Sequence, residues 1–193
     1  MKVLIVVAHP RENSLVHSIK SKFEQGLVAG GHQVTTLDLF KAGFDPVLRE
    51  EDEPRFDQEV QVFSEEINKE MERINQHDAL VFAFPMYWSN MPAIMKGYID
   101  RVFNLGYAYA PWGSNTMKVN KVFFMTTTGA TMALLNEKDH VKFLEYYFNE
   151  VIAGYCEIKK SRLQIFDDPF NDELIVNKHL PQAYQEGLDF DKW

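Results

Sequence analysis

Cys156 is the only cysteine in the chain. A disulfide framework within the chain is therefore impossible, and no Cys/His spacing resembles a zinc site. The histidines, His9, His17, His32, His77, His140 and His179, are scattered, with no pair at a helical metal-ligand spacing. Positive charge is also scarce. Twenty Lys and Arg stand against 28 Asp and Glu, a net charge of −8. That argues against nucleic acid or an anionic membrane surface as the main partner, because both require a cationic face. An anionic ligand would have to be held by local backbone donors. The first apolar run, "VLIVVA" (3–8), is too short to span a bilayer and ends at "HP". The glycine loops G-x-G-x-x-G and G-x-x-x-x-G-K-[ST] are missing, so ATP and dinucleotides of the usual type find no support. Repeats, linkers and low-complexity segments are missing too. For 193 residues these absences imply one domain over 1–193, in a reducing, cytoplasmic setting, without membrane insertion.

What is present alternates. "KVLIVVA" (2–8) is a continuous β-branched run, as expected of a central parallel strand covered on both faces. Leu15, Ile19, Phe23 and Leu27 then recur every fourth residue, a helix ending at "GG" (30–31). "HQVTTLDLF" (32–40) reads as a second strand, and 41–58 as a long loop whose acidic cluster "REEDEP" (49–54) is solvated. Val60, Phe63, Ile67, Met71 and Ile74 mark one face of a second helix. "ALVFAFP" (79–85) is a third strand, followed by a helix over 91–103. "KVFFMTTTG" (121–129) is a fourth strand, and Val141, Leu144, Phe148, Val151, Ile152 and Tyr155 mark the next helix, with Cys156 on its apolar side. "SRLQIFD" (161–167) is a fifth strand, and the tail from 171 is partly helical. Five alternations predict an α/β fold: a flavodoxin-like, doubly wound, five-stranded parallel sheet in the order 2-1-3-4-5.

In such sheets ligands bind beyond the carboxyl ends of the strands, where the strand order reverses. Here that means the turns 9–15, 85–91 and 126–131. In "HPRENSL" (9–15), Asn13 or Ser14 is a natural N-cap, leaving N–H groups and a positive dipole end that can bind phosphate. His9 either terminates the strand or bonds a ligand phosphate. In "FAFPMYWSNMPAIMKGYIDRVF" (82–103) the large aromatics fall in the turn, where they are hardest to bury. Pro85 stops the strand, Pro92 opens the helix, and Met86, Tyr87 and Trp88 are presented between them, either as a lid or as a wall for a flat aromatic ligand. In "TTTGAT" (126–131), hydroxyls and a glycine suit close approach to a polar ligand. Taken jointly, the three turns fit a phosphorylated, polar-edged heterocycle such as a flavin.

At this point the sequence resembles the flavodoxin-2 family of NAD(P)H:quinone oxidoreductases. The resemblance runs over nearly the whole chain and is strongest in "FPMYWSNMPAIMKGYIDRVF" (84–103) and "GYAY" (106–109), with support from "LIVVAHPRENS" and "TTTGAT". It implies that His9, Asn13, Ser14 and Leu15 hold the ribityl-phosphate end of a flavin. Pro85, Met86, Tyr87 and Trp88 would line the ring, and Thr127, Thr128, Gly129 and Ala130 its pyrimidine edge. Tyr109 aligns with a tyrosine of the quinone pocket. His140 either matches a family histidine near the flavin or simply starts a helix before Val141. Ala130, Ser89 and Pro111 depart from common family residues, so the family's substrate identity does not carry over.

The implied activity is a two-electron, ping-pong hydride relay from NAD(P)H through FMN, with FAD as the alternative, to a quinone or similar acceptor, in a homodimer with pockets at its interface. Two other readings accompany it. One is an ancillary subunit docked on a potassium-efflux transporter. The other is a one-electron carrier, against which the lack of a T-x-T-G-x-T loop after the first strand counts.

Overall fold

A computed structural model describes residues 1–58, 60–111, 113 and 115–193. Strand β1 (Lys2–Val7) is followed by helix α1 (Leu15–Ala29) and strand β2 (Gln33–Asp38). Next come α2 (Glu65–Asn75), β3 (Ala79–Pro85), α3 (Ala93–Val102), β4 (Lys121–Thr127) and α4 (Met132–Glu137). Helix α5 (His140–Tyr146) continues as a π-helix over Tyr147–Gly154, and β5 (Lys160–Phe166) follows. The chain closes with a turn of helix, α6 (Asp172–Leu174), a π-helical stretch Ile175–His179, and α7 (Leu180–Leu188). The strands pair in parallel in the order β2-β1-β3-β4-β5, the order expected from the alternation.

The β-branched run of β1 earns its central place by having two buried faces. Val3, Ile5 and Val7 pack with Phe23 and Leu27 of α1, while Leu4, Val6 and Ala8 point into the opposite layer with Phe82, Phe124 and Phe148. β1 pairs with β2 on one side and β3 on the other, so the direction of winding reverses at its carboxyl end. The tail is drawn onto α1 through glycines. A Cβ on Gly26 would lie 2.0 Å from the Tyr184 carbonyl oxygen, and one on Gly187 would lie 2.2 Å from that of Phe23. Only glycine permits this approach of α7 to α1.

Three local expectations are corrected. Val60 and Phe63 fit the apolar period but precede α2, whose N-cap is Ser64, with its Oγ accepting from the Ile67 N–H. The helix after β4 does not hold one apolar face. The switch to i→i+5 bonding from Tyr147 shifts the period, leaving Val151 44% and Tyr155 64% exposed. The acidic loop is not solvated throughout. Asp52 is fully buried, its Oδ2 2.9 Å from Arg101 Nη2, and it accepts from both the N–H and Oγ–H of Ser64. Arg101 also donates to the Asp45 carbonyl (2.6 Å) and pairs with Glu66 (2.8 Å), so one buried guanidinium straps the whole loop to α3. Among the described residues no helix is long and apolar enough to cross a membrane.

Candidate functional site

The turns after β1, β3 and β4 meet in one cleft of about 400 Å³ at the carboxyl edge of the sheet. Its first wall is the start of α1. Ser14 is the N-cap, with extended backbone and an Oγ that accepts from the His17 N–H. Leu15 and Val16 line the cleft, and as the first residues of α1 their amides have no intrahelical partners. His9 is buried, and its Nδ1 lies within hydrogen-bond reach of both the Arg11 N–H (3.0 Å) and the Arg11 carbonyl oxygen (3.1 Å). Burial lowers the His9 pKa from its ordinary value, which keeps the ring neutral. Arg11 is the single cation of the cleft. A helix N-terminus, a neutral imidazole and one guanidinium make an anion end inside a chain of net charge −8.

The second wall is Pro85, Met86 and Tyr87. The Met86 N–H donates to the Thr127 carbonyl, and Tyr87 and Asn90 exchange backbone bonds at 2.8 and 3.0 Å. Between them Trp88 (φ 53°) and Ser89 (φ 57°) both adopt the left-handed conformation, forming a two-residue turn with the sign pattern of type I′. Neither residue is of the type that adopts it cheaply. The turn points Trp88 outward, at 101% exposure. Trp88 is thus not part of the cleft wall, contrary to the expectation from the sequence, and the Met86 and Tyr87 amides are engaged within the chain rather than free to read a ligand edge.

The third wall is Thr127, Thr128 and Gly129. The Thr128 N–H is bonded to the Phe166 carbonyl, and the Ala130 N–H to Thr128 Oγ1 at 3.2 Å. Among the described residues the Gly129 N–H has no acceptor, and a Cβ added at Gly129 would meet nothing within 4 Å. Ala130 turns away to pack against the core. Ten of the twelve residues expected at the cofactor line the cleft; Trp88 and Ala130 do not. Arg11, Val16, Pro169 and Phe170 line it as well and were not anticipated. Arg11 stood inside the quoted "HPRENS". Val16 follows the quoted turn 9–15 by one residue, and Pro169 and Phe170 have no signal in sequence, because they enter the cleft from beyond β5.

The two residues expected to act on substrate lie elsewhere in the chain. Tyr109 lines a second cavity of about 340 Å³, with Phe103, Tyr147, Val151, Tyr155 and Cys156 among its walls. Its ring lies 5.2 Å from that of Tyr155. Burial raises the Tyr109 pKa, so the hydroxyl keeps its proton and remains a donor. Cys156 is buried there, and burial pushes its thiol up to about 12, which keeps it protonated and unreactive. His140 is the first residue of α5, as in the helix-start reading, and lines neither cavity.

The donor set fits a flat phosphorylated heterocycle: an anion end at α1, an apolar wall at Pro85–Tyr87, and beside Gly129 an open Cβ space with an unspent N–H. The comparisons with known proteins agree with this geometry. The model of the Flavodoxin_2 family, described as having a flavodoxin-like fold, matches residues 1–186. An uncharacterized NAD(P)H oxidoreductase, YcaK, of Escherichia coli is 34% identical over 97% of this chain and 92% of its own. The ribosyldihydronicotinamide dehydrogenase [quinone] of Mus musculus is 32% identical over 76% of this chain and 71% of its own. Among solved structures, an NAD(P)H:quinone oxidoreductase from Methanothermobacter marburgensis superimposes with a TM-score of 0.91 at 27% identity, covering 99% of this chain and 97% of the other.

Proposed function

Because the chain belongs to the Flavodoxin_2 family, we propose that it is a flavin-dependent NAD(P)H:quinone oxidoreductase. The observation that carries this reading is the convergence of the turns after β1, β3 and β4 on one cleft with an anion end, a flat apolar wall and an unspent amide. Relatives on both comparisons bear names of NAD(P)H and quinone oxidoreduction.

A bound flavin supplies the two-electron chemistry, taking a hydride from NAD(P)H and giving it to a quinone. The chain binds, orients and sets charge. Arg11, the His9 ring and the first amides of α1 would hold the phosphate. One such anion end, formed by a single helix N-terminus and one arginine, favours FMN over FAD. Pro85, Met86 and Tyr87 would fix the ring plane, and the Gly129 N–H would stabilise negative charge at the pyrimidine edge.

Tyr109 lines a separate cavity, so its proton donation to a quinone oxygen would serve the cleft of a second copy. Trp88, Phe143, Tyr146 and Tyr155 are large exposed apolar side chains, which supports a subunit contact. The homodimer is checked by sedimentation at twice the 22.5 kDa chain mass; a monomer at micromolar concentration would remove Tyr109 from the reaction. The function itself is tested by initial rates with NADPH and a soluble quinone varied together. Two substrates that use one cleft in turn give parallel double-reciprocal lines, and intersecting lines would contradict that shared use.

A further inference from the structure

The turn that bears Gly129 is fixed at two points to the end of β5. The Thr128 N–H donates to the Phe166 carbonyl at 3.0 Å, and the Met132 N–H donates to Asp167 Oδ2 at 2.8 Å. Between those anchors lie Gly129, Ala130 and Thr131. Asp167 is buried at 8% exposure, and two and three residues later Pro169 and Phe170 line the same cleft. Asp168 between them has a φ of 47°, a left-handed conformation that redirects the chain toward the opening. One carboxylate therefore joins the wall built from β4 to the wall built from β5.

Behind Asp167 stands His179, 1% exposed. Its Nε2 lies 2.7 Å from the Asp167 carbonyl oxygen and 3.5 Å from Oδ1, while its Nδ1 is buried with no partner among the described residues. A carbonyl oxygen only accepts, so Nε2 carries a proton and the ring donates it to the Asp167 main-chain carbonyl. Among the described residues no Lys or Arg pairs with the Asp167 carboxylate, and its one basic neighbour is His179, whose Nε2 lies 3.5 Å from Oδ1.

We propose that Asp167 is a positioning residue for this cleft: with its main chain held by His179, its carboxylate tethers the 128–131 turn through the Met132 N–H, and its charge makes the site less tolerant of the negative charge of a reduced flavin. The charge half rests on the flavin reading above. The tether half does not. A fixed anion near developing negative charge disfavours the reduced ligand relative to the oxidised one, because a low effective dielectric lets the two charges act across the turn.

Asp167→Asn and Asp167→Ala separate the two halves. Asparagine keeps an oxygen acceptor for Met132 and removes the charge; alanine removes both. With FMN as the probe, the Asn variant is expected to bind the oxidised form within about twofold of the wild type. Its ratio of reduced to oxidised affinity rises about tenfold, a potential about 30 mV more positive for a two-electron couple. An unchanged potential in Asp167→Asn overturns the charge role, because a merely structural residue would give that result. In the flavin-free protein, exchange of the Met132 amide should accelerate at least tenfold in Asp167→Ala and little in Asp167→Asn. Equal exchange in wild type and Asp167→Ala overturns the tether. A wild-type protein that binds no FMN overturns the flavin reading and with it the charge role, and the Met132 amide still decides the tether.

Discussion

Leucine in place of Gly129 is expected to leave the fold intact and to lower flavin affinity by roughly a hundredfold, about 2.8 kcal/mol. The backbone at Gly129 is outside the left-handed region, and an added Cβ would meet no protein atom within 4 Å. The substitution therefore introduces no strain, and by restricting the unfolded chain it stabilises slightly, by about 0.4–1 kcal/mol. The space it fills is the cleft itself, beside Thr127 and Thr128. The measurement is paired: a urea midpoint at or just above that of the wild type, and a fluorescence titration with FMN that shows the loss. A Gly129→Leu protein that binds FMN as tightly as the wild type would mean that this turn is not part of the cofactor site.

The second large effect concerns the fold. Asp52→Ala is expected to cost about 3 kcal/mol, because it removes the buried one of the two carboxylates that hold the Arg101 guanidinium and leaves only the partly exposed Glu66 and the Asp45 carbonyl. The Arg101 side chain is 3% exposed and that of Asp52 fully buried, so solvent cannot replace the lost partner. Burial alone would raise the Asp52 carboxyl, but the Arg101 bond and the two bonds from Ser64 more than offset it and hold its pKa below the ordinary value. The sign follows from linkage. A depressed carboxyl contributes stability that is present above its unfolded pKa of about 3.8 and is lost as pH falls through the folded value. The wild type should therefore lose this contribution in acid, and the Asp52→Ala variant should lack it at every pH. Urea denaturation at neutral pH and in acid checks both. A variant within 1 kcal/mol of the wild type at neutral pH would show that the pair is not needed to hold the loop. Phe56 lies on that loop and lines the cavity of Tyr109, so loosening the strap would also disturb the second cavity.

The framework was legible because its signals are local. A strand buried on two faces must be apolar along its covered length, as Val3–Val7 of β1, all of β3 and Val122–Met125 of β4 are. Once five such alternations were counted, the switch point followed, and with it the three turns that carry the cleft. What the sequence concealed depends on partners far along the chain or on backbone choices without a residue signature. Asp52 sits in a run of acidic residues, and its cation is 49 positions away. Trp88 and Ser89 take positive φ without glycine, so nothing in the sequence showed the ring turning outward. The π-helical turn at Tyr147 altered the period in mid-helix and exposed Val151 and Tyr155, which a 3.6-residue pattern had assigned to the core. Tyr109 was recognisable as a tyrosine of interest, but the cavity it lines is made by residues from three other segments.

The central claim is that the cleft at 9–15, 85–87 and 127–129 holds a flavin that relays electrons. It is tested most directly by the anaerobic visible spectrum of the protein reconstituted with FMN. The account predicts a flavin band that bleaches on adding NADPH or NADH, returns on adding a stoichiometric quinone, and yields FMN when the protein is denatured. A protein that retains no flavin, or retains one that neither nicotinamide reduces, would contradict it.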